Sequence, residues 1–156
     1  MAPTMNTIFR QPFGCISAGE SAEPVAGTPM DPRTPTAIGA NVGADFLQLR
    51  KAGGYGHNYI INESNASICK AAQASLLHSG ITTTAETSQP AAQFYTANPY
   101  PVCRGEEYAE YRPQGSFCPE TQGFPDAPNH PDLPSTILCP GEQYSHISRF
   151  VFTRSL

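Results

Sequence analysis

The sequence is poor in charge, and this absence excludes several classes of partner. Only 14% of the 156 residues are charged, the formal net charge is −4, and no run of basic residues is longer than the pair Arg50–Lys51. Nucleic acids and anionic membrane surfaces are bound by clustered cations, so neither is an expected partner. No apolar stretch approaches the roughly 18–20 residues that a membrane-spanning helix needs.

Cysteine usage and the N-terminal residues favour the cytoplasm. The chain has five cysteines, an odd number, and no pair has Cys-x-x-Cys spacing, so a disulfide framework is not indicated. The first 13 residues include Pro3, Arg10 and Pro12 and lack the apolar core of a secretory signal. The histidines and cysteines do not have the spacing of zinc ligands. We therefore expect a cytoplasmic protein without a metal site.

Turn-forming residues are plentiful and predict an all-β protein. The chain has 16 prolines and 13 glycines, and 39% of its residues are hydrophobic, a composition normal for short strands joined by many turns. Residues 1–36, rich in proline and small residues, are expected to be loop or extended chain. Residues 45–51 predict two short helical turns that end at Gly53 and Gly54.

Short apolar or threonine-rich runs between turn signals predict the strands. These runs lie at residues 59–61, 67–72, 81–86, 92–96 and 145–153. The last run alternates most clearly, with Phe150 and Phe152 on one face and Val151 and Thr153 on the other. Four prolines in residues 123–134 predict a loop. The spacing is typical of a β-sandwich or barrel.

Glu120 is the candidate catalytic residue. It follows a short apolar segment and precedes the proline-rich loop 123–134, which places a carboxylate at the end of a strand where a loop can close over a ligand. By itself the position is weak evidence, because most glutamates are solvated surface groups.

Four ordered blocks, however, carry a specific resemblance. They read PVAGTPMDPR at 24–33, GYGHNY at 54–59, QFYTAN at 93–98, and ETQ, FPDAPN, PST and PGEQY within 120–144. Together they resemble the signature segments of the aldose 1-epimerase (galactose mutarotase) family, C-terminal part only. On this basis residues 18–156 are expected to be the C-terminal part of a mutarotase-like domain, and residues 1–17, which match nothing, to be disordered.

The resemblance implies the fold, the reaction and two site residues. The family folds as a large antiparallel β-sandwich, or supersandwich, of which this chain would be an incomplete part. It interconverts the α and β anomers of hexoses such as galactose and glucose without a cofactor or metal. Glu120 matches the general base that acts on the anomeric hydroxyl. Gln93 matches a substrate-binding glutamine, whose amide both donates to and accepts from sugar hydroxyls.

The chain also departs from the family pattern. Gly56 stands where the family has a sugar-binding aspartate, and Pro119, directly before Glu120, would remove a ladder donor. The acid histidine belongs to an N-terminal half that has no counterpart here. We therefore expect the chain alone to be weakly active or inactive, and its uncovered strands to favour self-association.

Two alternatives stay open beside the enzyme. The chain is a catalytically degenerate module that binds carbohydrate or another protein, or it is the product of a truncated gene model that does not fold. Sugar binding without turnover would distinguish the module from the epimerase. The sequence alone leaves open whether the chain is an enzyme.

Overall fold

The fold is built from short antiparallel strands. The structure, a computed structural model, describes residues 7–10, 15–18, 21–61, 68–98 and 101–155. The strands are β1 (Thr7–Arg10), β2 (Cys15–Ala18), β3 (Ser21–Pro24), β4 (Thr36–Ala37), β5 (Gly56–Ile60), β6 (Cys69–Leu76), β7 (Ile81–Thr87), β8 (Ala91–Tyr95), β9 (Cys103–Arg104), β10 (Glu110–Tyr111), β11 (Cys118–Gln122) and β12 (Ser148–Arg154). The helices are α1 (Ile38–Asn41) and α2 (Leu47–Ala52), with 3-10 turns at Glu106–Tyr108 and Ala127–Asn129. Among these described residues no helix is long and apolar enough to span a membrane.

Ten of the strands form two five-stranded sheets. The first sheet has the order β12-β7-β6-β1-β4 and the second the order β11-β8-β5-β2-β3, while β9 and β10 form a separate hairpin. Every pairing is antiparallel. The expected all-β antiparallel fold is therefore confirmed.

A shared apolar core joins the sheets. Tyr59 and Phe94 of the second sheet and Ala72 and Ala85 of the first sheet are almost fully buried in one cluster. Burial raises the pKa of the Tyr59 phenol, so it stays protonated and donates a hydrogen bond to the carbonyl of Met30 at 3.1 Å. This bond fixes the 25–30 turn against the core.

The predicted helical turns are present as α2, and the glycines that follow them are required. Gly53 ends the helix with φ 69°, a left-handed conformation that favours glycine. Gly54 has φ 146°, and a Cβ there would lie 2.2 Å from the Oδ1 of Asn98. The Asn98 amide in turn donates to the carbonyl of Tyr55 at 2.8 Å. This packing sets where β5 begins.

The expectation of disorder for residues 1–17 falls partly on residues outside the described ranges and stays a prediction. Of residues 1–17, those described lie in β1 and β2. Strand β1 pairs with β6 over four residues, and β2 pairs with both β3 and β5. Ladder pairing of the backbone, rather than a sequence signal within the segment, accounts for the strands.

The other strand predictions are close to the structure. The strand predicted at 67–72 is longer in the structure, where β6 extends to Leu76. The final strand has the predicted alternation and pairs with β7 over its full length. Residues 123–134 contain only a 3-10 turn, as their prolines predicted.

Two edge strands lie on the same side of the sandwich. Strand β11 ends the second sheet and β12 ends the first, and the hydroxyls of Thr121 and Ser148 bond across the gap between them. Phe150 and Phe152 of β12 are 47% and 70% exposed. Within the described part of the chain, this side of the core is therefore open.

Candidate functional site

Strand pairing brings three polar side chains into one row on the second sheet. Asn58 of β5 lies opposite Gln93 of β8, and Gln93 lies opposite Glu120 of β11. Directly opposed residues project from the same face, with Cβ atoms about 4.5–5.5 Å apart. The next residues along, Tyr59 and Phe94, point into the core. The row Asn58–Gln93–Glu120 therefore occupies the outer face of the sheet.

Glu120 and Gln93 are available to a ligand. Glu120 is exposed and Gln93 is half-buried. Neither side chain makes a hydrogen bond or ion pair with another residue in the described ranges. An open carboxylate that accepts hydrogen bonds thus stands beside an open amide that both donates and accepts.

Asn58 is the buried member of the row. Its side chain is 3% exposed, and its Oδ1 accepts a hydrogen bond from the Nε2 of Gln122 at 3.3 Å. Its Nδ2 has no partner among the described residues. The most buried member of these three is therefore an amide with one donor unused among the described residues.

The loop that follows β11 covers one end of this face. Phe124 and Ala127 are buried against Ala91, with Ile60 and Leu133 packed at the border of the same cluster. Ala91 and Gln93 are successive residues on the same face of β8, so the apolar cluster begins directly beside the polar row. The loop gives the site one closed wall.

Gly56, Tyr95 and Cys118 form the next row towards the other end. Tyr95 is half-buried and Cys118 is exposed. Burial, and secondly the charge of Glu120, raise the pKa of the Cys118 thiol, so it stays protonated at neutral pH. A Cβ on Gly56 would lie 3.6 Å from that of Ala52 and 3.9 Å from the ring of Tyr95. The position has room for a side chain and holds none.

His57 faces away from this site. It alternates with Gly56 and Asn58 along β5 and lies opposite Phe94, so it projects towards the core. Burial lowers the pKa of its imidazole, and its Nδ1 accepts a hydrogen bond from the Gly56 N–H at 3.1 Å. His57 therefore does not act on a ligand beside Glu120. Among the residues described, no group of three or more His, Cys, Asp or Glu side chains is arranged to hold a metal ion.

The structure brings the two sequence-predicted site residues together and corrects their surroundings. Glu120 is the third of five residues in β11 rather than at its end, because pairing with β8 continues to Gln122. Pro119 does not interrupt this pairing, as is usual for proline in an edge strand. Sequence reasoning missed Asn58 and Tyr95, although alternation within the motif blocks places them on the faces of Gly56 and Gln93.

Comparisons with known proteins identify the family to which the chain belongs. The family model described as aldose 1-epimerase matches residues 15–151. The chain belongs to the aldose 1-epimerase family. It is 38% identical over 141 residues to galactose mutarotase from Sus scrofa and 37% over 140 residues to galactose mutarotase from Homo sapiens. It is 32% identical over 133 residues to aldose 1-epimerase from Escherichia coli.

These relatives are much longer than the chain. The three alignments cover 82–88% of this chain but only 37–39% of each relative. A solved aldose epimerase homologue from C. elegans superposes with TM-score 0.81 at 18% identity, covering 97% of this chain and 46% of that one. Galactose 1-epimerase from Lactobacillus acidophilus gives TM-score 0.65 at 20% identity, covering 98% and 45%. The chain thus has the epimerase-family fold over less than half of the length of these proteins.

Proposed function

We infer that this chain contributes the general base of an aldose 1-epimerase active site, and that this site binds a hexose such as galactose or glucose. The observation that carries the proposal is the row on the outer face, where Glu120 stands opposite Gln93 and neither side chain has another partner among the described residues. A neutral, hydroxyl-rich ligand fits an open amide and a single carboxylate better than an anionic ligand does, because the carboxylate repels an anion.

The chemistry follows from what the two groups can do. The Glu120 carboxylate accepts the proton of the anomeric hydroxyl as the bond between the anomeric carbon and the ring oxygen breaks. The ring oxygen takes up a proton, which gives the open-chain aldehyde. Rotation about the bond next to the aldehyde and reversal of the steps close the ring on the other face. Gln93 holds neighbouring hydroxyls during this sequence, since an amide both donates and accepts hydrogen bonds.

The proton for the ring oxygen comes from a second group. His57 points towards the core and does not supply it. A positioned acid or base typically contributes about 10²–10⁴-fold in rate, so a chain that provides only the base is expected to be weakly active or inactive. We propose that the acid lies on polypeptide corresponding to the part of the relatives that this chain does not cover.

Polarimetry tests the proposal directly. Freshly dissolved α-D-galactose and α-D-glucose are followed with the 156-residue chain, with its Glu120→Gln variant, and with each of these plus a polypeptide covering the remaining part of a relative. We expect little acceleration by the chain alone and a clear increase on complementation. The increase should be absent with Glu120→Gln, which keeps the shape but loses the base.

Two results would contradict this assignment. Full acceleration by Glu120→Gln in the complemented mixture would remove Glu120 as the base. Binding of galactose without acceleration in any mixture would instead support the alternative, a carbohydrate-binding module that has lost catalysis. The missing side chain at Gly56 favours that alternative, because the relevant face there offers no carboxylate to a ligand.

Self-association is the second property that we propose, through the edge of β12 that has no strand partner among the described residues. In an antiparallel pair of two copies centred on Val151, Phe150 of one copy lies opposite Phe152 of the other. Arg149 then lies opposite Thr153, so no like charges meet. Cross-strand aromatic pairs of this kind stabilise a sheet by roughly 0.2–1 kcal/mol each. The strand is thus self-complementary at its exposed edge.

The cytoplasm is the compartment that we propose. Cys103, Cys118 and Cys139 are free thiols. A reducing compartment keeps thiols in this state.

A further inference from the structure

Asn58 carries a buried polar atom without a hydrogen-bond partner among the described residues. Its amide bonds Gln122 through Oδ1 at 3.3 Å, while the buried Nδ2 has no partner in the described part of the chain. Most buried side-chain polar atoms are hydrogen-bonded, so an exception needs a reason. Turning over both amides would keep the bond to Gln122 and leave the carbonyl of Asn58 open instead. In either orientation of the two amides, one polar atom of the Asn58 side chain therefore has no partner among the described residues.

Two residues lie opposite Asn58, Ser17 of β2 and Gln93 of β8, and Gln93 is the one with a described side chain that can fill this position. It lies directly opposite Asn58, at a Cβ separation of about 4.5–5.5 Å. Its own amide is half-buried and has no partner among the described residues. Glu120 lies one strand further away, and its side chain makes no hydrogen bond to Asn58 among the described residues. Asn58 is therefore expected to act on Glu120 through Gln93, which lies between them.

We propose that Asn58 is a positioning residue whose Nδ2 donates to the side-chain carbonyl of Gln93 when a sugar is bound. This inference rests on the proposed function. With its carbonyl held inward by Asn58, Gln93 presents its NH2 group outward as a donor to a ligand hydroxyl oxygen beside Glu120. In the free protein the bond is not formed, and the ligand supplies the contact that orders Gln93.

The experiment combines NMR with two leucine variants. The ¹⁵N-labelled 156-residue chain is titrated with galactose, and the side-chain amides of Asn58 and Gln93 and the backbone amide of Glu120 are followed. We expect the Asn58 NH2 protons to move downfield and to exchange more slowly with solvent. Asn58→Leu keeps the approximate size and removes the unsatisfied donor. It should weaken galactose binding about 3–10-fold. Removal of the unsatisfied donor and loss of the Gln122 hydrogen bond oppose each other, so the thermal midpoint is expected to change little.

Gln73→Leu is the matched control. Gln73 is an amide on β6 of the opposite sheet, and its Nε2 donates to Thr84 at 3.2 Å. The same kind of substitution there removes an amide far from the site. Galactose affinity is expected to be unchanged in this variant.

The outcomes separate this inference from the function on which it rests. Absence of any shift at Asn58, Gln93 and Glu120 would overturn the proposed function and this inference together. Shifts at Gln93 and Glu120 without one at the Asn58 side chain would overturn this inference alone. A lower thermal midpoint with unchanged affinity in Asn58→Leu would show that Asn58 is structural, and would equally overturn it.

Discussion

Gly56 is the position at which one added side chain tests the site most directly. It lies on the same face as Gln93, two residues before Asn58 on β5. An added Cβ would make only ordinary contacts of 3.6–3.9 Å. We predict that Gly56→Asp is tolerated and increases the affinity for galactose.

The expected gain can be estimated from the geometry. A hydrogen bond to a charged group contributes roughly 1.5–3 kcal/mol, which corresponds to about 10–150-fold in affinity. The opposing term is repulsion from Glu120. That residue lies two strands away and two residues along, about 12 Å between Cα atoms at usual strand dimensions. At this distance two surface charges repel by about 0.3 kcal/mol in water, and salt reduces this further. Attraction to the sugar therefore dominates.

Calorimetric titration of galactose into the wild-type chain, Gly56→Asp, Gly56→Asn and Gly56→Ala measures the effect. Alanine is the matched control, because it adds the Cβ and restricts the unfolded chain without adding a polar group. We expect the order Asp, then Asn, then Ala, with Ala close to wild type. An aspartate variant that binds no more tightly than the alanine variant would refute the placement of the sugar on this face.

Three further predictions concern stability and assembly. Phe94→Ala should lower the free energy of unfolding by about 3–5 kcal/mol, because Phe94 is 2% exposed in the shared core; a loss below about 1 kcal/mol in urea titration would contradict that packing. Burial lowers the pKa of His57 from its ordinary 6.5. The stability that the neutral imidazole contributes is therefore fully present above pH 6.5 and is lost as the pH falls through the pKa of His57 in the folded protein. The thermal midpoint should therefore fall between pH 7.5 and pH 5, and His57→Gln should reduce that dependence; an unchanged profile would count against it. Val151→Lys should prevent self-association by opposing two lysines, as light scattering over a concentration series would show, and a wild-type chain that is monomeric throughout would refute the β12 interface.

Local signals in the sequence were enough to predict individual elements. Gly53 and Gly54 end α2 because their positive φ angles favour glycine. The alternation of residues between two faces identifies β12. The short strands β4, β9 and β10 carry no such signal, because two residues are too few for a period. Their existence depends on the partner strand across the ladder.

The site could be predicted only in part, because it depends on register. Glu120 and Gln93 come from separate motif blocks, and only the pairing of β8 with both neighbours places them opposite each other. The role of Asn58 depends on burial of its amide and on the absence of a partner for Nδ2 among the described residues. Neither property is visible in a list of residues. Long-range pairing therefore supplies what composition and spacing do not.

The position of Glu120 on an edge strand has a consequence for how the site responds to heat. In the sheet as described, β11 has one ladder partner, β8, and the Thr121–Ser148 hydroxyl contact is its link to the other sheet. Segments with few partners open locally at a lower free energy than the core does. We expect amide hydrogens of β11 to exchange before those of β8, and the base to lose its alignment with Gln93 while the core is still folded. Thermal inactivation would then report the detachment of a single strand rather than the melting of the sandwich.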